Sequence, residues 1–258
     1  MRMKIAIIGA GNLGGAVAKG LIRAGLDAPG ITLTAAHLSS LEEFARIGFN
    51  VSTDNAAAAD GADFVLIAVK PWMMEEVAAA VAPVLKEGQM IVCMAPGVPG
   101  ARLKELFPGR TPIVHAIPNT AAEIGKSATI LSPVRASEAQ TGKAAELLEH
   151  IGGILPLPAE KMLAGTSVTS CGIAYALRYI RAAVEGAVEL GIPPAVASKA
   201  VCDTVEGAAR LLVEKGTHAE QEIDRVTTPG GLTIKGLNAM EEAGFSAAVI
   251  AGLKAGIK

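Results

Sequence analysis

The residues with the clearest chemical use lie near the two ends of the chain. Lys4 to Ile8 is a short β-branched apolar run that leads into Gly9-Ala10-Gly11-Asn12-Leu13-Gly14, and an amphipathic helix pattern continues to about Ala24. Strand, glycine turn and helix in that order suit a dinucleotide. The first glycine makes the turn, the second leaves the backbone open to a pyrophosphate, and the third lets the helix pack on the strand. Far along the chain, Thr227-Thr228-Pro229-Gly230-Gly231-Leu232-Thr233 opens what reads as another helix. Pro229 fixes a backbone angle, Gly230 and Gly231 keep side chains out of a ligand's way, and the amides of a first helical turn suit a small carboxylate or phosphate. Pro-Gly-Gly is also common punctuation before a helix, so its weight comes from standing in one chain with the first motif.

The elements that must position these residues alternate through the first part of the chain. Apolar runs predict strands at 31–34, near Val51, and at 64–69, 90–94, 112–117, 128–131 and 153–157. Helical patterns occupy 41–47, 73–85 and 137–150 between them. This order predicts a Rossmann-type, doubly wound, mostly parallel sheet over 1–157. Ligands of such sheets lie beyond the carboxyl ends of the strands, which brings forward Lys70-Pro71, the Ala95-Pro96-Gly97 turn and Asn119 of Pro118-Asn119-Thr120. Lys70 equally suits an ordinary surface lysine. The second strand should end beside the adenosine ribose, where an acidic residue would select NAD; none occurs between Ile31 and Leu41. His37, Ser39 and Ser40 could instead donate to a 2′-phosphate, so NADPH is preferred over NADH, although the lack of an arginine leaves NADH open.

Beyond Pro158 the strand signal stops. Residues 158–258 read as an all-helical domain, with Arg178, Arg181, Glu185 and Glu189 on one narrow polar stripe and Lys199, Asp203, Glu206, Arg210 and Glu214 on another. Helices apolar around most of their circumference need burial on several sides, and about 100 residues supply too little cover. A second subunit is therefore expected, as a homodimer at least.

Composition narrows the function further. Apolar residues make up 51% of the chain and aromatics only 3%, with a net charge of -2 and no basic block, so neither nucleic acid nor an anionic membrane is an expected partner. A small-molecule substrate is. Cys93, Cys171 and Cys202 have neither disulfide-framework nor zinc spacing, which fits a reducing cytoplasm. His37, His115, His150 and His218 are scattered, so no metal site is expected, and Cys93 has no nearby base to make it a nucleophile. The apolar start is interrupted by Asn12 and Lys19, unlike a secretory signal, and no apolar run is long enough to span a membrane.

Taken together, the residues resemble the pyrroline-5-carboxylate reductase family over nearly the whole length. Gly9 to Gly14, Asp54-Asn55, Ala68-Val69-Lys70-Pro71 and Pro118-Asn119-Thr120 stand in that family's order. Ala174-Tyr175, Thr204 with Gly207-Ala208-Ala209, and Val226 to Gly231 with Thr233 and Gly236-Leu237 look like its C-terminal signature. The resemblance implies NAD(P)H along the first domain, with Asn55 and Val69 to Pro71 lining it, and a domain-intertwined dimer often assembled into larger rings. It further implies that Thr228, Gly230 and Gly231 hold the substrate carboxylate of the partner's site while the Thr233 hydroxyl meets the ring nitrogen. Departures are His115 in place of an arginine, Pro96 for an alanine, Ile173 for a proline, Leu232 for a smaller residue, and Ala35-Ala36-His37 where Asn-Arg is usual.

The chemistry this implies needs little acid or base catalysis, because a protonated cyclic imine already attracts hydride and has mainly to be bound and oriented. Thr233 and Lys70 are the catalytic candidates. A β-hydroxyacid dehydrogenase would share the plan, but a catalytic lysine is expected there and Cys171 to Arg181 contains none. Reduction of another cyclic imine and a non-catalytic NADP sensor are the remaining alternatives.

Overall fold

The structure, a computed structural model, describes residues 3–257. Eight strands form one sheet in the order β3-β2-β1-β4-β5-β6-β7-β8. They are β1 (Ile5–Ile8), β2 (Ile31–Thr34), β3 (Asn50–Ser52), β4 (Phe64–Ile67), β5 (Met90–Cys93), β6 (Ile113–Ile117), β7 (Ser127–Arg135) and β8 (Gly152–Pro156). Every pairing is parallel except β6 with β7. The order reverses between β1 and β4, which opens a crevice at their carboxyl ends.

Helices cover both faces, as strands that are apolar on both sides require. On one face α1 (Asn12–Arg23), α2 (Glu42–Ile47) and α6 (Glu138–Glu149) bury Val17, Leu21, Phe44 and Leu147 against Ile7, Leu33 and Leu66. On the other, α3 (Asn55–Ala59), α4 (Met74–Val81) and α5 (Gly100–Leu106) bury Ala59, Val77, Val81 and Leu103 against Ile8, Val65 and Ile91. The predicted doubly wound, mostly parallel sheet is thus the observed one. Helix α6 begins with a reciprocal cap, Ser137 accepting from the Gln140 amide while Gln140 accepts from the Ser137 amide.

Three elements of the sheet domain depart from the sequence expectation, of which α3 lies where no helical pattern was read. Strand β7 runs on past Leu131 to Arg135 although Pro133 lies within it. Its partner β8 pairs only as far as Leu131, so β7 is an edge from Ser132 onward, where a residue without an N–H is tolerated. Helix α5 escaped prediction because it is short and sits behind the Pro96-Gly97-Val98-Pro99 run, which reads as loop.

After β8 come α7 (Met162–Thr166) and a π-helical turn, Ser167–Cys171. Two compact units then divide between Cys171 and Gly172. The second contains α8 (Gly172–Glu189), α9 (Pro194–Lys215), α10 (Ala219–Val226), α11 (Leu232–Glu242) and α12 (Phe245–Ala255). Here the Tyr175 hydroxyl donates to the Gly252 carbonyl at 3.3 Å, and Tyr179 meets Phe245 edge to face at 6.2 Å. The polar stripes are lined by ion pairs one turn apart: Arg181 with Glu185, Lys199 with Asp203 and Arg210 with Glu214. Among this unit's described residues only Ala197 is buried, while Leu177, Val188, Val213, Val249 and Ile250 are exposed.

In the first unit, α1 crosses the Thr120–Ile124 turn so closely that a Cβ on Gly20 would stand 2.1 Å from the Ala122 carbonyl oxygen. Gly20→Ala is therefore expected to lower stability by about 1–3 kcal/mol in urea unfolding, as overpacking does. Gly142→Ala, in α6 with nothing within 4 Å of the added carbon, should raise it by about 0.5–1 kcal/mol.

Candidate active site

The first βα turn is built by close approach. Gly9 has φ 97°, a conformation that costs a side chain, and a Cβ there would stand 2.8 Å from Val69 Cγ1. A Cβ on Gly14 would lie 2.2 Å from the Gly9 carbonyl oxygen, so only glycine lets α1 rest on the turn. Gly11 differs, because nothing lies within 4 Å of where its Cβ would be. That open space faces the start of α1, which has no side-chain cap. The first intrahelical bond runs from the Gly15 amide to the Gly11 carbonyl at 2.8 Å, leaving the amides of Asn12, Leu13 and Gly14 without a helical acceptor. This is a cradle for a diphosphate.

Beside it lies a cleft of about 560 Å³ lined by Gly11, Asn12, Leu13, Val69, Lys70, Pro71 and Asn119 among others. The structure thus brings these predicted residues together at the ends of β1, β4 and β6. Gly9 and Gly14 lie beneath the cradle and shape it. The cleft is also walled by Thr120 of the Pro118-Asn119-Thr120 turn and by Trp72, Met94, Ile117 and Ser170, which sequence reasoning did not single out. Their strand-end positions were the available signal for Trp72, Met94 and Ile117; nothing local pointed to Ser170.

Several predicted residues occupy other surroundings. Ala95 is fully buried in the core on the α4 and α5 face, and its neighbours Met94 and Pro96 line the cleft in its place. His37 and Ser39 are exposed beyond β2, outside the walls of this cleft. Asn55 begins α3 and accepts from the Thr34 hydroxyl at 2.6 Å, while the Thr34 carbonyl receives both the Gly9 and Ala10 amides at 3.1 and 2.7 Å. Asn55 therefore braces the glycine turn through β2. Asn119 lines the cleft but is already committed: its Oδ1 accepts from the Ala121 amide at 3.0 Å and its Nδ2 donates to the Thr169 carbonyl at 3.2 Å.

On the second unit, Pro229, Gly230 and Gly231 form the expected turn into α11, with Gly230 at φ 71°. One part of the expectation changes. The Gly231 amide is not free, because it donates to the Thr228 carbonyl at 3.0 Å and closes the turn. The amides of Leu232, Thr233 and Ile234 begin the helix without a side-chain cap, and the side chains of Thr228 and Thr233 are exposed.

His115, the departure on β6, is buried and its Nε2 lies 3.0 Å from the Ala95 carbonyl, so the ring carries its proton there and donates. Burial holds its pKa below the ordinary 6.5, and the backbone hydrogen bond only partly offsets this. Cys93, its register partner on β5, is buried with its thiol pushed up to about 12, an inert group.

An open α/β sheet with an uncapped glycine cradle at its switch point defines a Rossmann-type dinucleotide-binding protein. Comparison with known proteins places it further. Residues 159–258 match the family model for pyrroline-5-carboxylate reductase dimerisation, and residues 4–97 match that for coenzyme F420-dependent NADP oxidoreductase. The chain is 32% identical to pyrroline-5-carboxylate reductase 3 of Macaca fascicularis, covering 98% of this chain and 93% of that one. It is 33% identical to the Methanosarcina acetivorans pyrroline-5-carboxylate reductase, covering 95% and 92%. With pyrroline-5-carboxylate reductase 1 of Dictyostelium discoideum it shares 34% identity and spans 48% of that longer protein. The solved Coxiella burnetii pyrroline-5-carboxylate reductase superposes with a TM-score of 0.86 at 28% identity, covering 100% of this chain and 97% of that one. The chain belongs to the pyrroline-5-carboxylate reductase family. Among the described residues no helix is long and apolar enough to cross a membrane.

The buried His115 gives a pH dependence. Its folded pKa is depressed, so the folded state sheds its proton while the unfolded state still holds one. Stability is full above the unfolded pKa near 6.5 and falls as pH drops from there toward the folded pKa. In His115→Gln, acid unfolding curves between about pH 6.5 and 5 should be flatter than in the parent.

Proposed function

We propose that the protein reduces the C=N bond of 1-pyrroline-5-carboxylate to give L-proline, the last step of proline synthesis, with NADPH preferred over NADH. The observation that carries this reading is similarity to pyrroline-5-carboxylate reductases along both units at once, the dinucleotide cleft and the Pro-Gly-Gly region included. When bound, the reduced nicotinamide supplies the hydride.

The protein's own residues bind and orient. Gly11, Asn12 and Leu13 offer backbone amides to the diphosphate, and Val69, Lys70 and Pro71 flank it from the end of β4. The start of α11 receives the substrate carboxylate on the amides of Leu232 and Thr233, with Thr228, Gly230 and Gly231 shaping the approach. The Thr233 hydroxyl hydrogen-bonds the ring nitrogen, which gains the electron pair of the C=N bond as hydride adds to the carbon, and helps deliver its proton. Lys70 contributes positive charge beside the dinucleotide. Asn119, tied to Ala121 and Thr169, holds the end of β6 in place at the cleft.

The chain works as a homodimer at least, with a ring of dimers as the larger form in this reading. The match to a dimerisation domain and the exposed apolar faces of α8, α9 and α12 support it. A different cyclic imine remains the competing substrate, and a sensor that binds NADP without turnover the competing function.

Two substitutions test the roles. Thr233→Ala should lower kcat with 1-pyrroline-5-carboxylate by roughly ten- to hundredfold, the worth of one charge-assisted hydrogen bond, with the Kd for NADPH unchanged. Unchanged turnover would remove Thr233 from the mechanism. His37→Asp, which places a carboxylate beyond β2, should shift the ratio of kcat/KM toward NADH by about tenfold or more; an unaltered ratio would show that this turn does not meet the 2′-phosphate.

A further inference from the structure

The chain holds a single tryptophan, Trp72, and it stands in the wall of the dinucleotide cleft with 78% of its surface exposed. A large aromatic left in water is informative, because such rings are usually well covered. It is conspicuous in a chain with only 3% aromatic residues.

The backbone beneath the ring is firm. Pro71 opens a 3₁₀ turn, Pro71–Met73, and the Met73 amide donates to the Lys70 carbonyl at 2.9 Å. Proline at that position presets the turn, so the indole is held out over the cleft by a fixed support.

Strand order says which part of a ligand lies under it. His37 and Ser39 follow β2, on one side of β1; Trp72 follows β4, on the other, and shares its cleft with Met94 after β5 and Ile117 and Asn119 at the end of β6. A dinucleotide laid across these strand ends has its diphosphate at the α1 cradle and its adenosine toward β2. The nicotinamide half then falls on the β4 to β6 side. We propose that Trp72 is a cofactor-binding residue that packs its indole on the nicotinamide half of the dinucleotide and covers that half from water. The proposal rests on the dinucleotide reading of the cleft. A flat aromatic face adds attraction to any heteroaromatic ring without needing hydrogen bonds.

Because no other tryptophan emits, titration can be read from this one ring. NADPH should quench the indole emission saturably and gain sensitised emission of its own, at the same Kd that calorimetry gives. The probe 2′-phospho-ADP-ribose, which lacks nicotinamide, should bind by calorimetry with little quenching. Trp72→Phe should keep the NADPH affinity within about twofold, and Trp72→Ala should weaken it about tenfold while leaving 2′-phospho-ADP-ribose unaffected. NADPH bound with parental affinity by Trp72→Ala, or quenching by 2′-phospho-ADP-ribose equal to that by NADPH, overturns the proposal and leaves the cofactor reading standing. Failure of the parent protein to bind NADPH in calorimetry overturns both.

Discussion

The contact between Gly14 and the Gly9 carbonyl oxygen is the constraint on which the first unit depends. At that distance no side chain fits, and the turn can close only because Gly9 also takes a left-handed backbone conformation. Closing it seats α1 on the sheet and leaves the helix's first amides facing open space at Gly11. The same turn is tied to β2 by two amides on the Thr34 carbonyl, and β2 is tied to α3 through Thr34 and Asn55. A dinucleotide cradle and a packed core are in this way one piece of geometry.

The helical unit follows a different logic. Its ion pairs lie along exposed stripes, where solvent and salt screen them, and they cannot offset so much uncovered apolar surface. With Ala197 alone buried among its described residues, this unit cannot draw much stability from its own core. Its match to a dimerisation domain agrees with a second copy as the missing cover. The Pro-Gly-Gly turn is carried on this scaffold, which links substrate binding to assembly in the proposed function.

Much of this was legible in the sequence, for physical reasons that differ by element. The buried parallel strands β1, β4 and β5 are uninterrupted apolar runs, and β2 was placed to the residue between Gly30 and the Ala35-Ala36-His37 turn. The glycine turn was legible because each glycine performs a separate steric task. What escaped notice depends on distant partners. Pro133 stays in a strand only because β8 stops pairing at Leu131. Asn119 faces the cleft as expected, but the bond of its amide to the Thr169 carbonyl, far along the chain, had no local signal. Ala95 was placed at the cofactor from its turn, whereas the pleat turns it into the core and gives the cleft to Met94 and Pro96. The Gly231 amide was expected to be free and instead closes its own turn on Thr228.

The most direct test follows the hydrogen atom. NADPH deuterated at the transferable position of nicotinamide C4 would be incubated with the protein and 1-pyrroline-5-carboxylate, and the product examined by NMR and mass spectrometry. The account predicts L-proline with one deuterium on the ring carbon that had been the imine carbon, formed in step with NADP. NADPH left unoxidised, or proline without the label, would contradict it.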